Sequence, residues 1–149
     1  MQGEIDRALH QEMEKDESVL VMGQDVGKNG GVFRLTDGLQ DQFGPDRVID
    51  TPLAESAIMG SAIGMAINGL KPVAEIQFSG FSYLTLGQLE GNGSRMRNRT
   101  QGQFTCPLVL RMPYGGGVRA LEHHSESKET YYAHTAGIKT VIPSTPETA

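Results

Sequence analysis

The sequence predicts an α/β domain with a doubly wound, mostly parallel sheet and helices on both faces, and three observations predict it. The run Val19-Leu20-Val21-Met22 is apolar without alternation, which is how a strand buried on both faces reads. Short runs of this kind alternate along the chain with stretches of helical periodicity, the order of βαβ units. At 149 residues the chain has the length of one domain that can bury a real core.

Taken in order, residues 3 to 16 read as an amphipathic helix with Ile5, Ala8, Leu9 and Met13 inward, and Ser18 to Gly23 as the first strand. Lys28 to Gly31 is a glycine turn, Thr36 to Phe43 a short helix stopped by Gly44-Pro45, and Arg47 to Asp50 a second strand. A Gly/Ala-rich helix then runs to about Asn68, where Asn68-Gly69 signals a left-handed cap. Lys71 to Phe78 is the third strand. Residues 83 to 99 read as a helix interrupted by Gly87, Gly91 and Gly93, Pro107 to Met112 as a fourth strand, and Tyr114 to Ala120 as a glycine-rich loop. Ser127 is placed to cap a helix reaching about His134, Lys139 to Pro143 reads as a fifth strand, and Thr145-Pro146-Glu147 opens a further helix. An end one turn into a helix leads us to expect a fragment of something longer.

Net charge is −5, and basic residues are dispersed except at Arg95, Arg97 and Arg99, which gives no nucleic-acid footprint. The single Cys106 excludes an internal disulfide framework, and no zinc spacing exists. No apolar run reaches membrane-spanning length and the N-terminus resembles neither a signal nor a transit peptide, so a soluble, cytoplasmic chain is expected.

Chemistry has four places to sit. From Ala54 to Leu70 the only ionisable side chain is Glu55, while Met59, Ile63, Ala66, Ile67 and Leu70 share one helical face. The opposite stripe of Ala57, Gly60, Ser61, Gly64 and Asn68 is small enough for another backbone to approach, so this helix is expected to be covered on both sides. A carboxylate there is either a partner of the helix dipole or a group poised for proton work. Gln77, Ser79 and Phe81 follow the third strand, where open α/β sheets bind ligands; Phe81 is a flat apolar wall or plain core. In Glu122-His123-His124-Ser125-Glu126-Ser127 two adjacent imidazoles point different ways, so one at most serves a site, unless the hexapeptide is only a surface loop. Gly115-Gly116-Gly117 lacks a Walker lysine and is a weak anion nest.

At Thr51-Pro52-Leu53-Ala54-Glu55 the sequence resembles the beta subunit of the E1 component of 2-oxo acid dehydrogenase complexes, the thiamine diphosphate enzymes of pyruvate and branched-chain 2-oxo acids. Gly23-Gln24-Asp25-Val26-Gly27, Phe43 to Asp50, Gly69-Leu70-Lys71-Pro72, Arg111 to Gly117, His124-Ser125-Glu126-Ser127 and Val141-Ile142-Pro143-Ser144 extend the likeness over the whole chain. The resemblance implies the pyrimidine-binding domain of the transketolase-like group, residues 1–149, without the C-terminal domain that relatives carry. It implies that Glu55 hydrogen-bonds N1′ of the cofactor's aminopyrimidine, that Leu53, Gln77 and Phe81 line its pocket, and that His124 is the active-site histidine. His123, one residue earlier, is expected to project to solvent or to the alpha subunit. The chain contains no Gly-Asp-Gly, the segment that in this family holds Mg²⁺ and diphosphate on the alpha subunit, so it is expected to supply half a site. Implied partners are that alpha subunit in an alpha2beta2 assembly and the lipoyl E2 component, with self-association through helix 55–68; no nucleic acid, membrane or metal of its own is implied. Gln24 stands where relatives often carry an acid, Glu126 where Gln is common, and Gly91-Asn92-Gly93 where a helix is usually unbroken. A fragment of another transketolase-like enzyme and a non-catalytic remnant are the alternatives.

Overall fold

In the computed structural model, which describes residues 2–148, the run Val19–Gly23 forms strand β1 in the middle of a sheet, buried throughout. Val48–Asp50 (β2) pairs with it on one side and Lys71–Glu75 (β3) on the other, and Val109–Arg111 (β4) pairs with β3. The order is β2-β1-β3-β4 and every pairing is parallel. The chain leaves β1 towards β2 and returns to β3 on the other side, so a switch point lies between β1 and β3. Ligand sites of open α/β sheets lie outside the carboxyl ends of the strands at such a point.

Helices α2 (Leu39–Phe43), α3 (Glu55–Ile67), α4 (Tyr83–Gln88) and α5 (Met96–Arg99) connect the strands, while α1 (Gln2–Lys15) precedes β1 and α6 (Glu129–Ala133) follows β4. Alternation along β1 sends Leu20 and Met22 into one core with Ile58, Met59, Ala62 and Ile63 of α3. Val19 and Val21 enter a second core with Leu9 and Met13 of α1, Leu39 and Val48. A strand apolar at every position is the direct consequence of two covered faces. Where α3 ends, Gly69 takes φ +97°, and the N–H groups of Gly69 and Leu70 cap the carbonyls of Ala66 and Met65.

Polar staples close the sheet's amino end. The Arg47 guanidinium donates to the carbonyls of Met13, Asp16 and Val19 and lies 5.1 Å over the Phe43 ring. Lys71 Nζ donates to Asp16 at 2.5 Å, and with Ser18 it holds that carboxyl well below the usual carboxylate range. At the other end Glu75 and its β4 register partner Arg111 form a buried ion pair. Burial pushes the Glu75 carboxyl up and the guanidinium pulls it back down, with burial the larger effect.

Several expectations are corrected. Residues 139–143 form no strand: Val141 is 81% exposed, and two apolar residues between Thr140 and Pro143 are too few to bury an edge. The third strand ends at Glu75, three residues early, although Ile76 and Ser79 still donate to Arg111 and Pro113. Ser127 caps nothing; α6 starts after Lys128 without a side-chain cap. The segment after Thr145 is a single 3₁₀ turn, Pro146–Thr148. Residues 83–99 divide, as the glycines predict, into α4, a π-helical turn at Leu89–Gly93 and α5. Among the described residues the small side of α3 is covered only in part: Gln88 lies against Gly60, but Ala57 and Ser61 are exposed and a Cβ on Gly64 would meet nothing within 4 Å.

Candidate active site

Strand β2 delivers the chain to the sheet's carboxyl edge, where Asp50 accepts the N–H groups of Gly27 (2.7 Å) and Lys28 (3.2 Å) and so fixes the loop after β1. Five residues on, Glu55 opens α3. It is 7% exposed, yet among the described residues nothing donates a hydrogen bond or pairs with its carboxyl. Its carboxyl oxygens are not among the buried polar atoms left without a partner, so they reach the solvent of the open cleft, and the positive end of a 13-residue helix favours their charge. Its carboxyl edges an open cleft lined by Leu53, Ala57, Gly60, Ser61, Leu84 and Gln88, and Leu53 is 70% exposed there. Leu84 and Gln88 were not anticipated from sequence, although their i, i+4 spacing on α4 is a usable signal. Gln88 Oε1 accepts Asn92 Nδ2 at 3.1 Å, which leaves the Gln88 amide N–H groups free of that bond.

Next along the chain stands an aromatic cluster. Phe78 meets His124 edge-on with centroids 4.5 Å apart, and Phe81 meets His124 at 5.2 Å and His123 at 5.4 Å. Phe33 and Tyr83 complete it, at 5.6 Å from Phe78 and 6.1 Å from His123. Edge-to-face contacts of this kind fix ring orientation as well as burying area. The histidine loop can approach because residue 80 is glycine: a Cβ there would lie 2.1 Å from the His123 carbonyl oxygen. Ser79 Oγ and the Gly115 N–H both donate to the Glu126 carbonyl, at 2.5 and 2.9 Å, tying the glycine-rich loop to the same turn. Lys128 Nζ lies 2.8 Å from the Glu126 carboxylate, lowering the proton affinity of that carboxyl and raising its own.

Phe81 and His124 therefore meet, while Glu55 and Leu53 line a different cleft, which shares no lining residue with that of His124. Gln77 is turned to the β1 side, where its Nε2 donates to Asp25 at 3.1 Å. His123, at φ +67°, is 44% exposed at its side chain, as expected of a group turned to solvent, but its ring also lies 5.4 Å from Phe81.

A doubly wound parallel sheet with an unpaired carboxylate and an imidazole–aromatic cluster towards its carboxyl edge is of the open α/β class, in which that edge is where ligand sites lie. The chain belongs to the family described as "Transketolase, pyrimidine binding domain", which matches residues 2–149. Among curated proteins it is 61% identical over 142 residues to "Pyruvate dehydrogenase E1 component subunit beta" of Acholeplasma laidlawii, covering 95% of this chain and 43% of that protein. It is 55% identical to the protein of the same name in Bacillus subtilis, over 95% of this chain and 44% of that one. To "3-methyl-2-oxobutanoate dehydrogenase subunit beta" of Mycobacterium tuberculosis it is also 55% identical, over 95% and 41%. The chain thus spans about two fifths of the length of the relatives it matches.

Proposed function

We propose that this chain is the pyrimidine-binding part of a thiamine diphosphate-dependent E1 beta subunit, working with an alpha subunit in an alpha2beta2 assembly to decarboxylate a 2-oxo acid and pass the acyl group to lipoyl E2. The observation that carries the reading is Glu55: a largely buried side chain at an open cleft, whose carboxyl oxygens have no donor among the described residues, suits a ring N–H brought by a ligand. Thiamine diphosphate, when bound, supplies the carbon nucleophile for the 2-oxo carbonyl and an electron sink for the departing carboxylate. Glu55 would hold a proton against the aminopyrimidine N1′, Phe81 would wall the ring and Leu53 would border it, while Gln77 would have to give up its bond to Asp25 to reach it. His124 would give or take a proton at the substrate. The chain has no Gly-Asp-Gly, so Mg²⁺ and diphosphate are assigned to the alpha subunit. The exposed part of the small stripe of α3 is assigned to contact with another subunit, including a second copy of this chain. We place the protein in the cytoplasm; no described helix is long and apolar enough to cross a membrane.

Calorimetry tests the division of labour. The chain alone, titrated with thiamine diphosphate and Mg²⁺, should give no binding at micromolar concentrations, and adding the alpha subunit should restore it. A micromolar Kd for the lone, monodisperse chain would refute the half-site.

A further inference from the structure

The two adjacent histidines occupy different backbone regions, and that difference assigns them different work. We infer that His123 is a positioning residue acting through its main chain, and that it fixes the tautomer of His124 so that Nε2 is the nitrogen that exchanges protons. This rests on the placement of His124 in the active site proposed above. His123 has φ +67°, a left-handed conformation that residues with a Cβ adopt only at a cost. The turn it makes brings the Glu122 carbonyl oxygen 2.7 Å from His124 Nδ1. A carbonyl oxygen offers only lone pairs, so Nδ1 must carry the hydrogen, and in the neutral ring the lone pair then belongs to Nε2. The rest of the loop holds this arrangement. The main chain of His123 fills the slot left by Gly80, Ser125 Oγ donates to Ala120 O at 2.7 Å, and Phe78 and Phe81 fix the ring. His124 lines an open cleft with Ala120, Leu121 and Glu122, and among the described residues Nε2 has no hydrogen-bond partner. The neutral ring thus accepts a proton at Nε2, and the protonated ring returns it from the same atom. The charged and titratable groups around His123 are Glu122, His124, Tyr83 and Glu126, whose Oε1 lies 3.7 Å from His123 Nδ1, with Lys128 behind Glu126.

Nitrogen-15 NMR of histidine-labelled full-length chain reads the tautomer without any assay. His124, when neutral, should show a protonated Nδ1 and a bare Nε2, and should keep that pattern in His123→Gly. An Nε2–H tautomer in either protein overturns the inference. In the enzyme assembled with the alpha subunit, His123→Gly should stay within about threefold of wild-type turnover, whereas His123→Val, disfavoured in the left-handed region, should lose about tenfold or more. Equal losses in the two variants would show that His123 works through its imidazole, and no loss in either would show that its backbone does not matter. Absence of 2-oxo acid turnover in the wild-type assembly would refute the proposed function, while the tautomer measurement would still decide this point.

Discussion

Glu55 and His124 are the two side chains on which the proposed chemistry depends, and they are prepared in opposite ways. Glu55 is mostly buried, but its carboxyl oxygens face an open cleft with no donor among the described residues, which leaves them available to a ligand's N–H. His124 is held at one nitrogen by a carbonyl and left open at the other. General acid–base work is worth about 10²- to 10⁴-fold, so His124→Ala in the assembled enzyme should lower kcat for 2-oxo acid decarboxylation by about 10²-fold or more. A loss below about tenfold would confine the ring to packing against Phe78. Both candidates were singled out in the sequence, Glu55 as a lone charge in an apolar helix and His124 by its register in a motif. Phe33, Phe78 and Tyr83 were not. Their contacts join segments far apart in the chain, and neither periodicity nor local propensity carries such information.

At the scale of elements, the β3–β4 edge is held by Glu75 and Arg111, with side chains 4% and 16% exposed. Removing one partner strands the other's charge in the interior. Glu75→Ala should therefore cost about 3 kcal/mol in denaturant unfolding. Replacing both Glu75 and Arg111 by Met should recover most of that loss, because two apolar groups of similar volume leave no charge to solvate. A double variant no more stable than the single one would mean that the pair fixes strand register. Burial raises the Glu75 carboxyl, so the folded chain binds that proton more tightly than the unfolded chain. This group alone therefore favours folding at acid pH and weakens it as pH rises from the ordinary 4.5 through the raised value. The elements themselves were legible wherever a strong pattern coincided with burial, as in β1 and α3. The fifth strand was misread because Val141 and Ile142 look like a strand but find no covered face. The glycines at 91 and 93 announced an interruption but not its form. The structure resolves it as a π turn closed by the Ser94 N–H to Leu89 O bond at 2.8 Å, with Arg99 donating to Gly91 O at 2.7 Å.

For the whole molecule, the proposed function calls for a partner that completes the cleft beside α3. One face of α3 is packed into the core and the other, small and open, runs away from Glu55 along the cleft. Doubly wound topology was readable from the alternation of runs, and the carboxyl edge of the sheet followed as the place for a site. Whether a second chain covers the small face was not readable, because one chain's sequence would hold only half of such a contact. The claim that Glu55 is a proton-sharing group rather than a dipole partner is tested most directly by Glu55→Gln in the assembled enzyme, with exchange of the thiamine diphosphate C2 proton followed by NMR. The amide keeps the shape and cannot share the proton, so exchange should slow by about 10²-fold or more while assembly is unchanged. Exchange at the wild-type rate in an intact assembly would contradict it.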